Sequence, residues 1–328
     1  MDEKNKIIMY QMTGGCAMMH LLVDGICICC LYLMASRFST AQIVGIFITY
    51  NVLAFMSQPL TGMLADKLER KHWMLLTSIL LLTLAVLATS VVMSMEWWTF
   101  GMPVVAVLLG AGNSLFHVWG GKQVAVSTGN DIRALGTFVA TGAFGLSLGA
   151  VFCSWPLLYL FLLSLCLLAI VRLHIDESES STGSSNIAKS RFGATFVLLS
   201  IIALMVAVMM RSFVNESFSG GLPKISEMVL IIGVISMLGK MAGGWIAHRA
   251  GIVKMIVMVL LVLVACFLFR NQSMAALFVG MFAINCTMPV TLYLANVVLP
   301  GREGLAFGLL AAALIPGYLS MIIIQVLE

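Results

Sequence analysis

Charge is what this sequence has least of. Asp, Glu, Lys and Arg make up 10% of its 328 residues, hydrophobic residues 61%, and the mean hydropathy is +1.07. A water-facing surface needs roughly a quarter of its residues charged, so a soluble domain is excluded and lipid is the main solvent. Polar stretches are scarce too. Only 174–191 (HIDESESSTGSSNIAKSR) is long and too hydrophilic to span a bilayer. No Walker loop of the form GxxxxGK[ST] and no HExxH occurs, which leaves an ATP-driven pump or a zinc hydrolase without an engine. The N-terminus lacks the small-residue cleavage site of a signal peptide, so the first apolar run reads as a retained helix. The eight cysteines lie inside apolar segments without zinc-ligand spacing and read as small hydrophobes. Cys27, Cys29 and Cys30 could at most form a soft-metal face. No metal site and no cofactor is expected, and no aromatic-interleaved basic patch points to nucleic acid.

What is present is a series of apolar runs, each near the ~20 residues a spanning helix needs. They cover 8–36, 40–64, 72–94, 98–125, 134–153, 155–172, 193–217, 225–247, 253–270, 272–299 and 303–327. With the N-terminus inside, cytoplasmic stretches hold Lys4, Lys6, Lys67, Arg70, Lys71, Arg133, Arg172, Lys189, Arg191, Arg249, Lys254 and Arg302. The outer loops then hold only Arg37, Lys224 and Arg270, a positive-inside bias that predicts a multi-pass protein of the plasma (inner) membrane with a cytoplasmic N-terminus. The polar segment divides the chain into an N-terminal six-helix bundle (1–173), a cytoplasmic linker (174–192) and a C-terminal bundle of five spans (193–328).

The two parts repeat. Ala111-Gly112-Asn113 is echoed by Ala283-Ile284-Asn285, Met19-His20 through Asp24 by Met210-Arg211 through Asn215, and Gly62 through Lys67 by Gly244 through Arg249. Each pair lies six segments apart in the same order. Same-direction repeats of this kind describe two pseudo-twofold-related bundles with a site between them. By that count a twelfth span is absent, and the expected arrangement is 6 + 5.

Gly62-Met63-Leu64-Ala65-Asp66-Lys67-Leu68-Glu69-Arg70-Lys71 resembles the signature loop of the major facilitator superfamily, with Glu69 in place of its second glycine. The resemblance implies a cytoplasmic gate built from Gly62, Asp66, Arg70 and Lys71, with Gly244 and Arg249 as its counterpart in the repeat. His20 through Asp24, Ser57-Gln58-Pro59 and Phe116-His117 with Lys122 are similar to motifs of the fosmidomycin-resistance exporter branch. Val118 and Trp119 replace the Pro and Glu of that pattern and Lys122 its Arg, so the acidic partner in the fourth span is lost.

Ionisable residues inside a membrane are costly and by default functional. His20 and Asp24, one turn apart on a helix face, are the candidates for proton coupling. Arg211, His117, Lys122, Glu216, Asn113 and Lys240 are the candidates for substrate binding; Asp24 is the expected partner of Arg211, with Glu216 nearer the outer end as the alternative, and Lys122 can equally snorkel. Gly142, Gly145 and Gly149 suggest a close helix contact. The reading is an all-α facilitator-type secondary transporter, monomeric, exporting a small molecule by alternating access against entering protons. A facilitator-fold receptor or scaffold, and a channel, stay open as alternatives.

Overall fold

The computed structural model describes residues 3–68, 72–95, 101–179, 192–223 and 225–319. Arg70 and Lys71 of the signature loop, most of the polar linker and the C-terminal Glu328 lie outside these residues. Among the described residues every regular element is helical. Ten helices are long and apolar enough to cross a membrane: α1 (Tyr10–Ala35), α2 (Thr40–Lys67), α3 (Trp73–Ser94), α4 (Gly101–Ser127), α5 (Ile132–Val151), α6 (Trp155–Leu173), α7 (Ala194–Ser219), α8 (Ser226–Ala250), α9 (Ile252–Phe269) and α10 (Met274–Val298). A shorter apolar helix, α11 (Glu303–Leu319), follows. The ten agree with their apolar runs to within about one turn, and the last run, 303–327, is described as far as Leu319. The backbone has no water to bond in lipid, and helices satisfy it internally.

Burial sorts the helices. α1 and α4 are the most enclosed, and their Cys16, Ile26, Leu31, Leu109 and Phe116 form the core of the first half. α9 is the opposite: Val253, Leu261, Val264 and Leu268 stand on its outer surface. Exposed apolar side chains in that number are a lipid face, not a packing error. Breaks between helices have local causes. The Ser39 backbone N–H donates to Gln42 Oε1 at 3.1 Å, a capping interaction that starts α2. Gly251, at φ +89°, turns the chain from α8 into α9, a conformation that a Cβ would strain. Inside α2 a π-helical turn, Val52–Met56, precedes Pro59, and such turns often mark functional sites.

Two seams join the first six helices to the rest. α5 packs on α8, where Gly136 meets the Lys240 carbonyl and Gly244 meets that of Ile132. α2 packs on α11, where Gly62 lies directly on the Gly304 backbone. α5 also packs along α1: Gly145 sits on the Leu21 backbone and Gly149 on that of Gly25, the close contact expected of the glycine stripe. The stripe also spells G-x-S-x-G over Gly145–Gly149. It lies mid-helix instead of at a strand-to-helix elbow, and Ser147 Oγ donates to the Ala143 carbonyl, so it is a packing pattern and not a nucleophile.

Candidate functional site

The site begins with one turn of α1. His20 Nε2 lies 3.3 Å from Asp24 Oδ2, the contact that four-residue spacing permits. From α4, His117 Nε2 comes within 3.4 Å of Asp24 Oδ1, and Asn113 Nδ2 donates to the same oxygen at 3.0 Å. Both rings are held from behind. His20 Nδ1 donates to the Phe138 carbonyl at 2.7 Å and His117 Nδ1 to the Asn113 carbonyl at 2.9 Å. The imidazoles meet edge to face with centroids 4.4 Å apart. His20, Asp24 and His117 are all buried, at 5–7% exposure. Gly142 of α5 makes room for them, because a methyl there would collide with His20 Nε2 and Asp24 Oδ2.

These three residues border a cavity of about 430 Å³ between the two halves. α7 and α8 line its second-half wall with Arg211, Asn215, Glu216 and Lys240. Arg211 is buried, and its Nη1 has no hydrogen-bond partner. No carboxylate among the described residues lies within 4.0 Å of Arg211 or Lys240. The expected Arg211–Asp24 pair is therefore not formed: the two histidines and Asn113 take the Asp24 carboxylate, and Arg211 stays on its own wall. Glu216 is engaged locally, accepting from Ser219 Oγ at 3.3 Å. Asn285 Nδ2 donates to Asn215 Oδ1 at 2.8 Å, tying α10 to α7.

Of the residues expected at a substrate, His117, Arg211, Glu216 and Lys240 line the cavity. Asn113 and Lys122 do not. Asn113 stands behind Asp24. Lys122 points away toward the α2–α11 seam, donating to the Ala65 carbonyl at 2.7 Å and lying 3.4 Å from Asp66 Oδ1. Two glycines, Gly120 and Gly121, leave space for Phe138 and Phe307 beside it. Gln58 was not among the candidates, yet it lines the cavity with Oε1 buried and unpartnered. The repeat could have found it, because Gln58 occupies in α2 the place that Lys240 occupies in α8.

The end of the molecule carrying Asp66 is closed by backbone contacts. Asp66 Oδ1 accepts from Gly304 N at 3.0 Å and Oδ2 from Leu305 N at 2.8 Å, so a carboxylate of α2 caps the first turn of α11. The other seam has its own lock. Asp131 accepts from Arg133 N at 2.8 Å, and the Arg133 guanidinium lies 5.4 Å from the Trp245 ring centre. Arg249 flanks the same ring at 6.0 Å. Burial pushes the Asp131 carboxyl up, but the Arg133 hydrogen bonds outweigh it and hold the group below its ordinary value. Asn130 Oδ1 accepts from Asn296 Nδ2 at 2.8 Å, a further bond across the halves.

Residues 15–320 match the model of the Major Facilitator Superfamily. The chain belongs to that superfamily. Membership assigns a multi-pass membrane transporter and not an enzyme. Solved facilitators share its shape. The major facilitator superfamily transporter FucP, solved in the outward conformation, is 13% identical with a TM-score of 0.73, over 98% of this chain and 92% of that one. The human organic anion transporter MFSD10 is 17% identical with a TM-score of 0.62, over 95% and 92%. At these identities the likeness is one of fold. No curated protein matches the chain by sequence.

Proposed function

We propose that this facilitator exports a small polar or anionic solute by alternating access, driven by protons that enter through His20 and Asp24. The observation that supports it is a single cavity with two chemically different walls: His20, Asp24 and His117 on one, Arg211 and Lys240 on the other. Arg keeps its charge in proteins, and a buried charge without a partner is costly, so the second wall calls for an anionic or strongly polar occupant. The first wall holds a carboxylate between two titratable rings, a set of groups suited to taking up and releasing a proton. A fucose:proton symporter from Escherichia coli shares the fold at 13% identity, a precedent that supports the proton-coupled reading. Export is supported by the resemblance of His20, Asp24, Gln58-Pro59 and Phe116-His117 to the fosmidomycin-resistance exporters.

In the cycle, residues 1–173 and 193–328 move as two bundles joined by the cytoplasmic linker, and the protein works as a monomer in the plasma membrane with its N-terminus inside. The Asp66 end is the cytoplasmic gate. Opening it separates Gly62 from Gly304 and strips Asp66 from the α11 amides. Hydrogen bonds to a charged group are each worth about 1.5–3 kcal/mol, a scale that a bound solute and a proton can supply between them.

Proton coupling has a direct test. Anionic metabolites and antibiotics are screened by thermal shift, since a ligand that prefers the folded state raises its stability. A stabilising compound is then followed in proteoliposomes. Asp24→Asn should retain ligand binding and exchange between the two sides, because neither requires net proton movement, and should lose accumulation driven by a pH gradient. His20→Ala should shift the pH dependence of accumulation without abolishing it. Undiminished gradient-driven accumulation by Asp24→Asn would remove this residue as the coupling site.

A further inference from the structure

The His20, Asp24 and His117 cluster has a feature that proton transfer does not require. A backbone carbonyl can only accept, so the Phe138 and Asn113 carbonyls fix the proton of each neutral imidazole on Nδ1. Each Nε2 then turns a lone pair toward the same carboxylate. Three electron-pair donors converge from two helices, with all ligating atoms within 4.8 Å of one another. Such an arrangement is repulsive unless a cation lies among them.

Distance distinguishes the cations. Charge-assisted N–H···O bonds run about 2.7–2.9 Å, shorter than the 3.3 and 3.4 Å separations between the rings and Asp24. A tetrahedral ion with bonds of about 2.05 Å to nitrogen and oxygen sets its ligands roughly 3.3 Å apart, the separation of each ring from its nearer carboxylate oxygen, Oδ2 for His20 and Oδ1 for His117. The surroundings agree as well. Metal-ligating histidines donate their other N–H to a backbone carbonyl or carboxylate, and ligating carboxylates are themselves hydrogen-bonded. Here the two carbonyls and Asn113 Nδ2 fill those places.

We infer that His20 Nε2, His117 Nε2 and the Asp24 carboxylate form a binding site for a divalent first-row transition-metal ion. Two imidazoles and one carboxylate suit zinc, cobalt or ferrous iron better than magnesium or calcium, which prefer oxygen-only shells. The cluster borders the cavity, so water or an oxygen of a solute completes the coordination sphere. The inference rests on equilibrium geometry and stands whether or not protons drive transport.

The experiment uses the full chain in detergent, with any affinity tag removed and chelator dialysed away, titrated with Co²⁺ and followed by visible absorption. One equivalent should bind with the intense visible bands of a tetrahedral ion and without the near-ultraviolet charge-transfer band of a thiolate ligand. His117→Gln and Asp24→Asn should each weaken binding at least tenfold. Asp24→Asn keeps the size of the side chain, and thermal melting and monodispersity report whether each variant is folded. His248→Gln, an exposed histidine outside the cluster, should bind as the parent does. Absence of saturable Co²⁺ binding by the folded parent overturns the inference. So does binding that survives both cluster variants, or that vanishes only with Cys27→Ala and Cys29→Ala.

Discussion

The two walls of the cavity hold buried charge in opposite ways. On the first-half wall Asn113 donates to Asp24, His20 and His117 crowd the same carboxylate, and both histidines are anchored from behind. On the second-half wall the Arg211 guanidinium leaves one nitrogen without a partner, and no described carboxylate stands within ion-pair distance of it or of Lys240. A cluster anchored from behind holds its rings in place whether or not a solute is present. An unsatisfied pair of cations gains most when the solute arrives. The contrast is between a wall whose rings are braced from behind and a wall whose cations border the cavity without an ion-pair partner.

Breaking the unsatisfied wall should have the largest effect. Arg211→Gln should weaken binding of an anionic ligand about 100-fold or more, near 2.7 kcal/mol, measured by titration calorimetry on the purified protein. Asp24→Asn in the same assay should stay within a few-fold. Equal losses in both variants would erase the distinction between the walls. Next comes Gly142→Ala, which drives a methyl into His20 and Asp24. Overpacking of this kind costs about 1–3 kcal/mol, so the melting temperature should fall and the pH dependence of accumulation should shift, with ligand affinity retained. A silent variant would show that the cluster is looser than its contacts imply.

Two smaller effects concern the seam. Asp66→Asn should slow solute exchange several-fold while equilibrium affinity stays within a few-fold, measured by counterflow and by calorimetry. A tenfold affinity loss with normal exchange would place Asp66 in binding instead of gating. Lys122→Met should be mildest, changing ligand affinity by less than about tenfold, ~1.4 kcal/mol, because Asp66 keeps both backbone amides without it. A change in ligand affinity larger than that in Lys122→Met would return Lys122 to the substrate.

The helices were legible because hydropathy and length suffice to mark a span. The His20–Asp24 contact was legible for a similar reason, since four-residue spacing is a local rule. His117 could be suspected as an intramembrane ionisable group, but not joined to Asp24. That contact depends on how α1 lies against α4, which no periodicity in either helix encodes. The expected Arg211–Asp24 pair failed on the same point: opposite charges at repeat-related positions suggest a bridge, yet the cavity lies between the walls. Lys122 could have faced solute or seam, and Gly120 and Gly121 beside it signalled only close packing. The Asp66 motif was readable as a motif, whereas the partners of its carboxylate proved to be backbone amides, which carry no side-chain signature.

The Asp66 cap also makes the end of one helix conditional on the position of another. The first amides of a helix lack partners within it, and those of Gly304 and Leu305 are satisfied by a carboxylate from α2. If the seam parts as proposed, these two N–H groups lose protection together while the rest of α11 keeps its own bonds. Their hydrogen–deuterium exchange is therefore a built-in reporter. It reads the fraction of time the seam is open in the unmodified protein, without a label and without knowledge of the transported compound.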